Sequence, residues 1–205
     1  MRSILLVTSS PRGAASHSSR IAGELVRDLQ AGAPGSTVTL RDLAADPLPH
    51  IGTDFAIGSR APAADRTAGQ AAAVAVSDAA VAELLAADTV VIAAGLINFG
   101  VPSTLKAWID NVARAGLTFR YTEAGPEGLA KGRKVYLVLA SGGIYSEGPA
   151  AAMDHAVPYL RDTLGFMGMT DVEVIRVEGV AMGPEAEAQG LDRARAQLDG
   201  LARAA

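Results

Sequence analysis

The stretch that most constrains the fold is Thr89–Lys106 (TVVIAAGLINFGVPSTLK), which joins an apolar run to a glycine-bounded loop and then to a helix start. The apolar run over 90–94 predicts a strand buried on both faces, as in the centre of a parallel sheet. Pro102 suits the first helical position, because its missing N–H costs nothing there. A strand, a tight loop and a helix in this order put the loop at the carboxyl edge of a sheet, where open α/β folds bind ligands. We therefore expect Asn98 and Phe99 to lie at that edge.

The rest of the chain alternates between strand-like and helix-like patterns. Five strands are predicted, at Ile4–Thr8, Ser36–Leu40, Val90–Ala94, Lys134–Leu139 and Asp171–Glu178. Five helices follow them, at Ser18–Ala31, Ala71–Ala86, from Pro102 onwards, Pro149–Leu164 and Pro184–Arg203. This alternation is typical of an α/β protein with a doubly wound parallel sheet. We predict a flavodoxin-like five-stranded parallel sheet in the order 2-1-3-4-5, built by a single domain over residues 1–205.

Two segments interrupt the alternation. Residues 44–67 show no sustained period, which favours a long lid or binding loop with a short helix around Phe55–Gly58. Leu117–Thr122 alternates apolar and polar residues and is followed by a turn over 123–128. We predict a hairpin-like insertion before the fourth core strand, at the carboxyl edge, where insertions often shape a pocket.

Composition and missing motifs exclude several kinds of protein. The 205 residues carry a net charge of −4 without a block of lysine or arginine, which argues against nucleic-acid binding. Zero cysteines suit a reducing cytoplasm, and the apolar run Ile4–Val7 is too short for a signal peptide or a membrane span. His17, His50 and His155 lack a paired spacing, so we expect no metal site. Dinucleotide-binding, P-loop and hydrolase-elbow motifs are also missing from the sequence. We expect a cytoplasmic protein without a membrane partner.

Three loops at one edge favour a flavin ligand. The loop Ser9–Ser19 is rich in hydroxyl groups and leads into a helix N-terminus, which carries about half a positive charge and suits a phosphate. The alternative is that these serines only cap the helix. Gly142 and Gly143 follow the fourth strand and either let the backbone approach a flat ligand or form an ordinary turn. A flavin mononucleotide fits this arrangement, with its phosphate at the first helix and its ring between the other loops.

Five motifs give a more specific indication. They are NFGVPSTLK from Asn98, VARAGLTFRYTEAGPEGL from Val112, GGIYSEGP from Gly142, RDLAADPLP from Arg41 and the SS…SHS pattern from Ser9. Through them, and along nearly its whole length, the chain resembles the bacterial FMN-dependent NADH:quinone oxidoreductases and NADH-azoreductases. The resemblance implies a homodimer with one FMN per subunit and a ping-pong reaction. NADH or NADPH would pass two electrons through flavin N5 to a quinone or, incidentally, to an azo compound.

The resemblance also assigns roles by position. Phosphate contacts fall on Ser10, Ser16, His17 and Ser18, and flavin-ring contacts fall on Leu96, Ile97, Asn98, Phe99, Ala140, Ser141, Gly142 and Gly143. The substrate side of the flavin is matched by Arg60, Tyr121 and Phe166. No side chain is assigned as a catalytic acid or base, because the cofactor does the chemistry and the protein orients it.

Two departures from the family pattern concern the flavin ring. The family commonly has Pro-Met-Tyr where this chain has Gly95-Leu96-Ile97, so an aromatic wall is lost. It often has Ser-Arg where this chain has Ala140-Ser141, so a cation near the ring is lost. We expect electron transfer to survive both changes, with FMN affinity, redox potential and substrate choice open to change. The N–H groups of the loop at Gly142 would stabilise negative charge on the reduced ring.

Two other functions stay open at this point. One is a flavodoxin-like carrier of single electrons, against which the insertion at Leu117–Gly128 speaks. The other is a non-catalytic flavin-binding relative, which only the altered loop at Gly95–Ile97 favours. The choice between NADH and NADPH and the physiological acceptor also stay open.

Overall fold

The computed structural model describes the backbone of residues 2–204 and the side chains of residues 2–201, and within them the chain forms seven strands and six α-helices. The strands are β1 (Ser3–Thr8), β2 (Thr37–Asp42), β3 (Thr89–Gly95), β4 (Phe119–Thr122), β5 (Gly125–Gly128), β6 (Lys134–Ala140) and β7 (Asp171–Val177). The helices are α1 (His17–Gly32), α2 (Thr53–Gly58), α3 (Ala68–Ala86), α4 (Ser103–Val112), α5 (Ala156–Phe166) and α6 (Pro184–Ala204). The short helix expected near residue 55 is α2.

Five of the strands form one parallel sheet in the order β2-β1-β3-β6-β7. This confirms the predicted flavodoxin-like order 2-1-3-4-5. Gly95, Ala140 and Val177 are the last residues of β3, β6 and β7, and they pair with one another across the sheet. The carboxyl ends of these strands are therefore level, and the loops that follow them start from the same edge.

A hydrophobic core on each face of the sheet explains the apolar run of β3. Val90 and Ile92 belong to one core, together with residues of α3, α4 and α5. Val91 and Ala93 belong to the other, together with residues of α1 and α6. Successive strand residues point to opposite faces, so a strand covered on both sides has no polar position. Trp108 of α4 is fully buried in the first core, as expected for a packing residue.

The helix predicted from Pro149 begins later, at Ala156. A short 3-10 helix covers Ala151–Met153 before it. Asp154 lies two residues before α5. Its Oδ1 accepts hydrogen bonds from the first two N–H groups of the helix, those of Ala156 and Val157, each at 3.0 Å. The predicted boundary was wrong because apolar spacing continues through this segment, and spacing does not show which carboxylate caps the helix.

The strands β4 and β5 pair as an antiparallel hairpin, which confirms the insertion before the fourth strand of the main sheet. The prediction that 123–128 forms only a turn was wrong, since Gly125–Gly128 is the second strand. The hairpin also lies at the amino edge, not at the predicted carboxyl edge. The N–H of Ala130, after β5, donates to the carbonyl of Met167 at 2.8 Å, just before the start of β7. The helix α4 has by then brought the chain back to the edge where β6 begins.

Among the described residues, one helix has the length and apolar composition of a membrane span: α3, with a mean hydropathy of 1.3 in its most apolar window. Its inward side, which includes Val81 and Leu84, is buried in the first core. Its outward side, which includes Ala75 and Val76, is exposed. The helix α3 therefore has the place of a core helix with one uncovered apolar face.

Candidate flavin site

Three loops meet at the carboxyl edge of the sheet: the loops after β1, β3 and β6. Backbone hydrogen bonds tie the first two loops to the ends of neighbouring strands. The N–H of Ser9 donates to the carbonyl of Ala93 in β3 at 3.1 Å, and that of Leu96 donates to the carbonyl of Ala140 in β6 at 2.7 Å. A cavity of about 710 Å³ opens between the first two loops, with Ser9 on one side and Asn98 on the other. This volume is within the range of small-molecule and cofactor sites.

Buried polar residues surround the N-terminus of α1. Ser10, Ser16, His17 and Ser18 are all buried. The Oγ of Ser16 accepts a hydrogen bond from the N–H of Ser19 at 3.2 Å and lies 3.2 Å from the Oγ of Ser18. The N–H groups of His17 and Ser18 find no acceptor among the described residues. One serine thus caps the helix, as the alternative interpretation expected, while two N–H groups remain for a ligand.

The side chain of His17 adds a neutral donor at this end. Nη2 of Arg20 donates to His17 Nδ1 at 3.1 Å, which places the ring proton on Nε2, 3.5 Å from Oε1 of Glu187. Burial lowers the pKa of His17 below its ordinary 6.5, and it outweighs the opposing effect of the Glu187 carboxylate. The imidazole is therefore neutral at pH 7.

The groups at this helix start match the chemistry of a phosphate. The first turn of α1 carries no acidic side chain. Hydroxyl groups and free N–H groups lie at the positive end of the helix dipole, which is where proteins bind phosphate oxygens. The donor set of this chain therefore fits the phosphate of FMN.

The loop after β3 contains a strained tight turn. Ile97 and Gly100 exchange two backbone hydrogen bonds of 3.0 Å, and between them Asn98 has φ of +47° and Phe99 has φ of +69°. Two successive positive φ values are those of a type I′ turn, and an aromatic residue in this region costs on the order of 1 kcal/mol. These two are the non-glycine residues of positive φ in the described chain. Strain of this kind is concentrated at functional sites.

Pro102, predicted as the first helical residue, instead lies just before α4.

The loop after β6 presents backbone donors. The carbonyls of Ser141 and Gly142 accept hydrogen bonds from the N–H groups of Val180 and Ala181, at 3.2 Å and 3.0 Å. Because C=O and N–H point in opposite directions across a planar trans peptide, the N–H groups of Gly142 and Gly143 point away from this segment. Neither N–H has an acceptor among the described residues. The loop is thus held from behind and leaves two donors on its other side.

The predicted substrate-side residues lie elsewhere in the chain. Tyr121 and Phe166 both contact the ring of Phe119, with centroid distances of 5.6 Å and 4.5 Å, and Tyr121 is 74% exposed. This cluster stands at the amino edge, so the length of a core strand, roughly 20 Å, separates it from the three loops. Arg60 is exposed in the segment between α2 and α3. Within one chain, the structure does not unite these residues with the predicted flavin contacts.

Three charged residues behind the loops were not predicted from the sequence. Glu178, directly after β7, is buried, and its Oε1 accepts hydrogen bonds from the N–H groups of Tyr145 and Ser146, at 2.8 Å and 2.9 Å. Nη2 of Arg176 lies 2.6 Å from Oδ2 of Asp154. An acidic residue at the carboxyl end of a core strand was the signal that could have drawn attention to Glu178.

Known proteins resemble this chain along nearly its whole length. A family model described as the flavodoxin-like fold matches residues 2–201. The FMN-dependent NADH:quinone oxidoreductase of Agrobacterium fabrum is 60% identical over 205 residues, which are 100% of both chains. The one of Mesorhizobium japonicum is 59% identical over 199 residues, covering 97% of this chain and 95% of the relative.

Solved structures show the same architecture. The crystal structure of an azoreductase from Bacillus anthracis str. Sterne has a TM-score of 0.91 and 34% identity, over 98% of this chain and 99% of that one. An FMN-dependent NADH-azoreductase from Bacillus anthracis str. Ames Ancestor, in complex with FMN, has a TM-score of 0.87 and 25% identity, over 98% of this chain and 100% of that one.

Proposed function

This chain belongs to the flavodoxin-like family of FMN-dependent NADH:quinone oxidoreductases, and from that premise we propose how its three loops hold FMN and serve the reaction. It is an FMN-dependent oxidoreductase that takes electrons from NADH. Quinone is the acceptor in the names of the relatives, and the structural neighbours are azoreductases. The observation that carries the site is a set of backbone N–H groups, on loops that meet at one sheet edge, for which the described residues provide no acceptor.

The N-terminus of α1 would bind the phosphate of FMN. Ser10 and Ser18 offer hydroxyl groups, and the N–H groups of His17 and Ser18 offer two further donors. The buried hydroxyl of Ser16 both caps the helix and faces Ser18. Hydrogen bonds to a charged phosphate are stronger than those between neutral groups, so this end supplies a large part of the affinity.

The turn at Asn98 and Phe99 would form one wall of the ring site. The exposed side chains of Ile97 and Phe99 offer apolar surface to a flat ring, and the Asn98 amide offers both a donor and an acceptor. When bound, FMN supplies the two-electron chemistry, and the chain supplies orientation and exclusion of water.

Backbone N–H groups would take the place of the missing cation. The N–H groups of Gly142 and Gly143, which have no acceptor in the described part of the chain, would stabilise negative charge that develops on the reduced ring. Ser141 does not replace the family's arginine as a donor, because its hydroxyl donates to the carbonyl of Gly143 at 2.8 Å and so fixes the loop. This arrangement depends on backbone position rather than on a titrating side chain.

A homodimer would reconcile the separated residues. Because Tyr121 and Phe166 lie at the amino edge of their own subunit, we propose that they cover the flavin of a second copy, with Arg60 on the same substrate side. The outward face of α3 supports this proposal, since it leaves an apolar surface uncovered. That face includes Ala72, Ala75, Val76, Ala79 and Ala82.

Neither alternative function gains support from a particular observation. Relatives of 59% and 60% identity are named as oxidoreductases rather than as electron carriers. We also propose that the enzyme works in the cytoplasm without a membrane or nucleic-acid partner, as zero cysteines and a net charge of −4 favour. Fractionation of cells that express the tagged chain would test this location.

The first experiment is a visible absorption spectrum of the purified protein after incubation with FMN and desalting. We expect a retained flavin band that NADH bleaches without oxygen and that a benzoquinone restores, followed by steady NADH oxidation. A sample without quinone is the control and should bleach only once. Sedimentation equilibrium of the same holoenzyme should give the mass of two chains. A desalted protein without flavin, or bleaching without turnover, would contradict the proposed function.

A further inference from the structure

Arg176, on β7, lies between two buried carboxylates behind the flavin loops. Its Nη2 is 2.6 Å from Oδ2 of Asp154, and its Nη1 is 3.5 Å from Oε1 of Glu178. The two carboxylate side chains are 7% and 9% exposed. Buried carboxylates are costly unless they are paired and hydrogen-bonded, so the guanidinium is needed by both partners.

Each carboxylate also holds a backbone segment. Glu178 binds the N–H groups of Tyr145 and Ser146 through Oε1, and its other oxygen accepts the hydroxyl of Ser146. Asp154 binds the first N–H groups of α5 through Oδ1 and keeps Oδ2 for Arg176. Burial alone would raise the pKa of Asp154, but the N–H of Val157 and the guanidinium outweigh it and hold that pKa below its ordinary value. Arg176 therefore links the loop after β6 to the start of α5.

Both linked segments reach the same residue, Phe99. The ring of Tyr145 meets the ring of Phe99 edge-on, with 6.2 Å between centroids. The N–H of His155, next to Asp154, donates to the carbonyl of Phe99 at 3.0 Å. A residue at positive φ keeps its strained conformation only when its surroundings determine it from several directions. Phe99 is held in this way by two contacts. One comes from Tyr145 in the loop bound to Glu178, and the other comes from His155 next to Asp154.

We infer that Arg176 is a positioning residue for the flavin ring: by pairing with Asp154 and Glu178 it fixes the two segments that hold the Asn98–Phe99 turn. Arg176 itself is not assigned a contact with cofactor or substrate. The inference rests on the proposed FMN site. It places the effect at the ring side of that site and leaves the phosphate end of α1 unchanged.

The test compares Arg176→Met with wild type by titration of flavin fluorescence, using FMN and riboflavin. Riboflavin carries the ring without the phosphate, so a ring-side change should weaken both ligands by the same factor. We expect about a tenfold rise in both dissociation constants and an unchanged ratio between them. Arg195→Met is the matched control, because Arg195 makes a bidentate pair with Glu24 on helices α6 and α1, at 3.0 Å and 3.1 Å. The control should stay within about twofold of wild type.

The possible outcomes are distinct. A folded Arg176→Met variant with wild-type affinity, or one that loses FMN binding but keeps riboflavin binding, overturns the inference. If that variant does not fold, Arg176→Gln replaces it, and at least about a threefold loss for both ligands is expected. Failure of both variants to fold gives Arg176 a purely structural role and also overturns the inference. A wild-type protein that binds no FMN would instead refute the proposed function.

Discussion

The polar groups at the two edges of the same sheet differ in whether they have partners within the described chain. At the amino edge, charged side chains close the ends of the elements: Nε of Arg133 donates to the carbonyl of Leu84 in the last turn of α3 at 3.0 Å, and Lys134 pairs with Asp171 at 2.6 Å. At the carboxyl edge, the N–H groups of Gly142 and Gly143 have no acceptor among the described residues.

This difference separates stability from function within one fold. An unpaired backbone donor costs free energy unless water or a ligand satisfies it, so a chain tolerates such donors where a ligand completes them. The strained Asn98–Phe99 turn lies at the same edge as those donors. Changes in the packing at the amino edge should therefore mainly alter folding, and changes at the carboxyl edge should mainly alter FMN binding. The exception is the cluster of Tyr121 and Phe166, which we propose covers the flavin of a second copy.

The largest effect is expected at the amino edge, from Gly128→Ala. A Cβ on Gly128 would lie 2.2 Å from the backbone nitrogen of Gly168, and backbone cannot move aside as a side chain can. We expect the free energy of unfolding to fall by roughly 3 kcal/mol, as in overpacked sites. Urea denaturation measures this fall.

A matched glycine substitution serves as the control for this edge. Gly165 lies in α5, and a Cβ there would meet no atom within 4 Å. Gly165→Ala should therefore stabilise the protein, by up to about 1 kcal/mol, through helix propensity alone. A Gly128→Ala protein that keeps its stability would contradict the role of the amino edge in folding.

Ser16→Ala, at the carboxyl edge, is expected to lower stability less than Gly128→Ala does and to weaken FMN binding. The change removes the cap of α1 and should lower the free energy of unfolding by about 1 kcal/mol. Loss of a donor near a charged phosphate should also weaken FMN binding by about tenfold, with riboflavin binding unchanged. Thr67→Ala is the matched control, because Thr67 caps α3 within a capping box with Gln70. Thr67→Ala should lower the free energy of unfolding by a similar amount and leave FMN binding unchanged. Equal losses of FMN and riboflavin affinity in Ser16→Ala would mean that the phosphate does not bind at this end of α1.

The sheet and its order could be predicted because the signals are local. The continuous apolar run of β3 reflects cores on both faces, and the alternation of elements limits the topology to few choices. The short helix α2 and the hairpin also followed from local patterns. The residues of the flavin site were predicted from their position in the fold and from the family resemblance, and their roles stay predictions.

What the sequence did not reveal depends on contacts between distant segments. Asp154 and Glu178 are 24 positions apart, and only the folded chain brings both to Arg176. The edge at which the hairpin packs is likewise set by its contact with Gly168, 40 residues beyond Gly128. Local periodicity carries no information on such pairings, and the tolerated positive φ of Phe99 follows from them too.

The smallest effect, a pH dependence, would sharpen the comparison at the phosphate end. Burial lowers the folded-state pKa of His17 below the 6.5 of the unfolded chain, with Glu187 opposing and Arg20 and Arg12 assisting. The unfolded state therefore binds more protons as the pH falls. The stabilisation from neutral His17 is complete above about pH 6.5 and is lost as the pH falls through the lowered pKa.

His17→Gln keeps a hydrogen-bond donor but cannot titrate in this range. Urea denaturation of the FMN-free protein at pH 7.5 and about pH 5.5 should show a smaller loss of stability in this variant than in wild type. His50→Gln is the control, since His50 is exposed and outside the phosphate loop, and it should retain the wild-type pH dependence. Identical pH dependence in His17→Gln and wild type would mean that this buried imidazole is not the group that couples the phosphate end of α1 to folding.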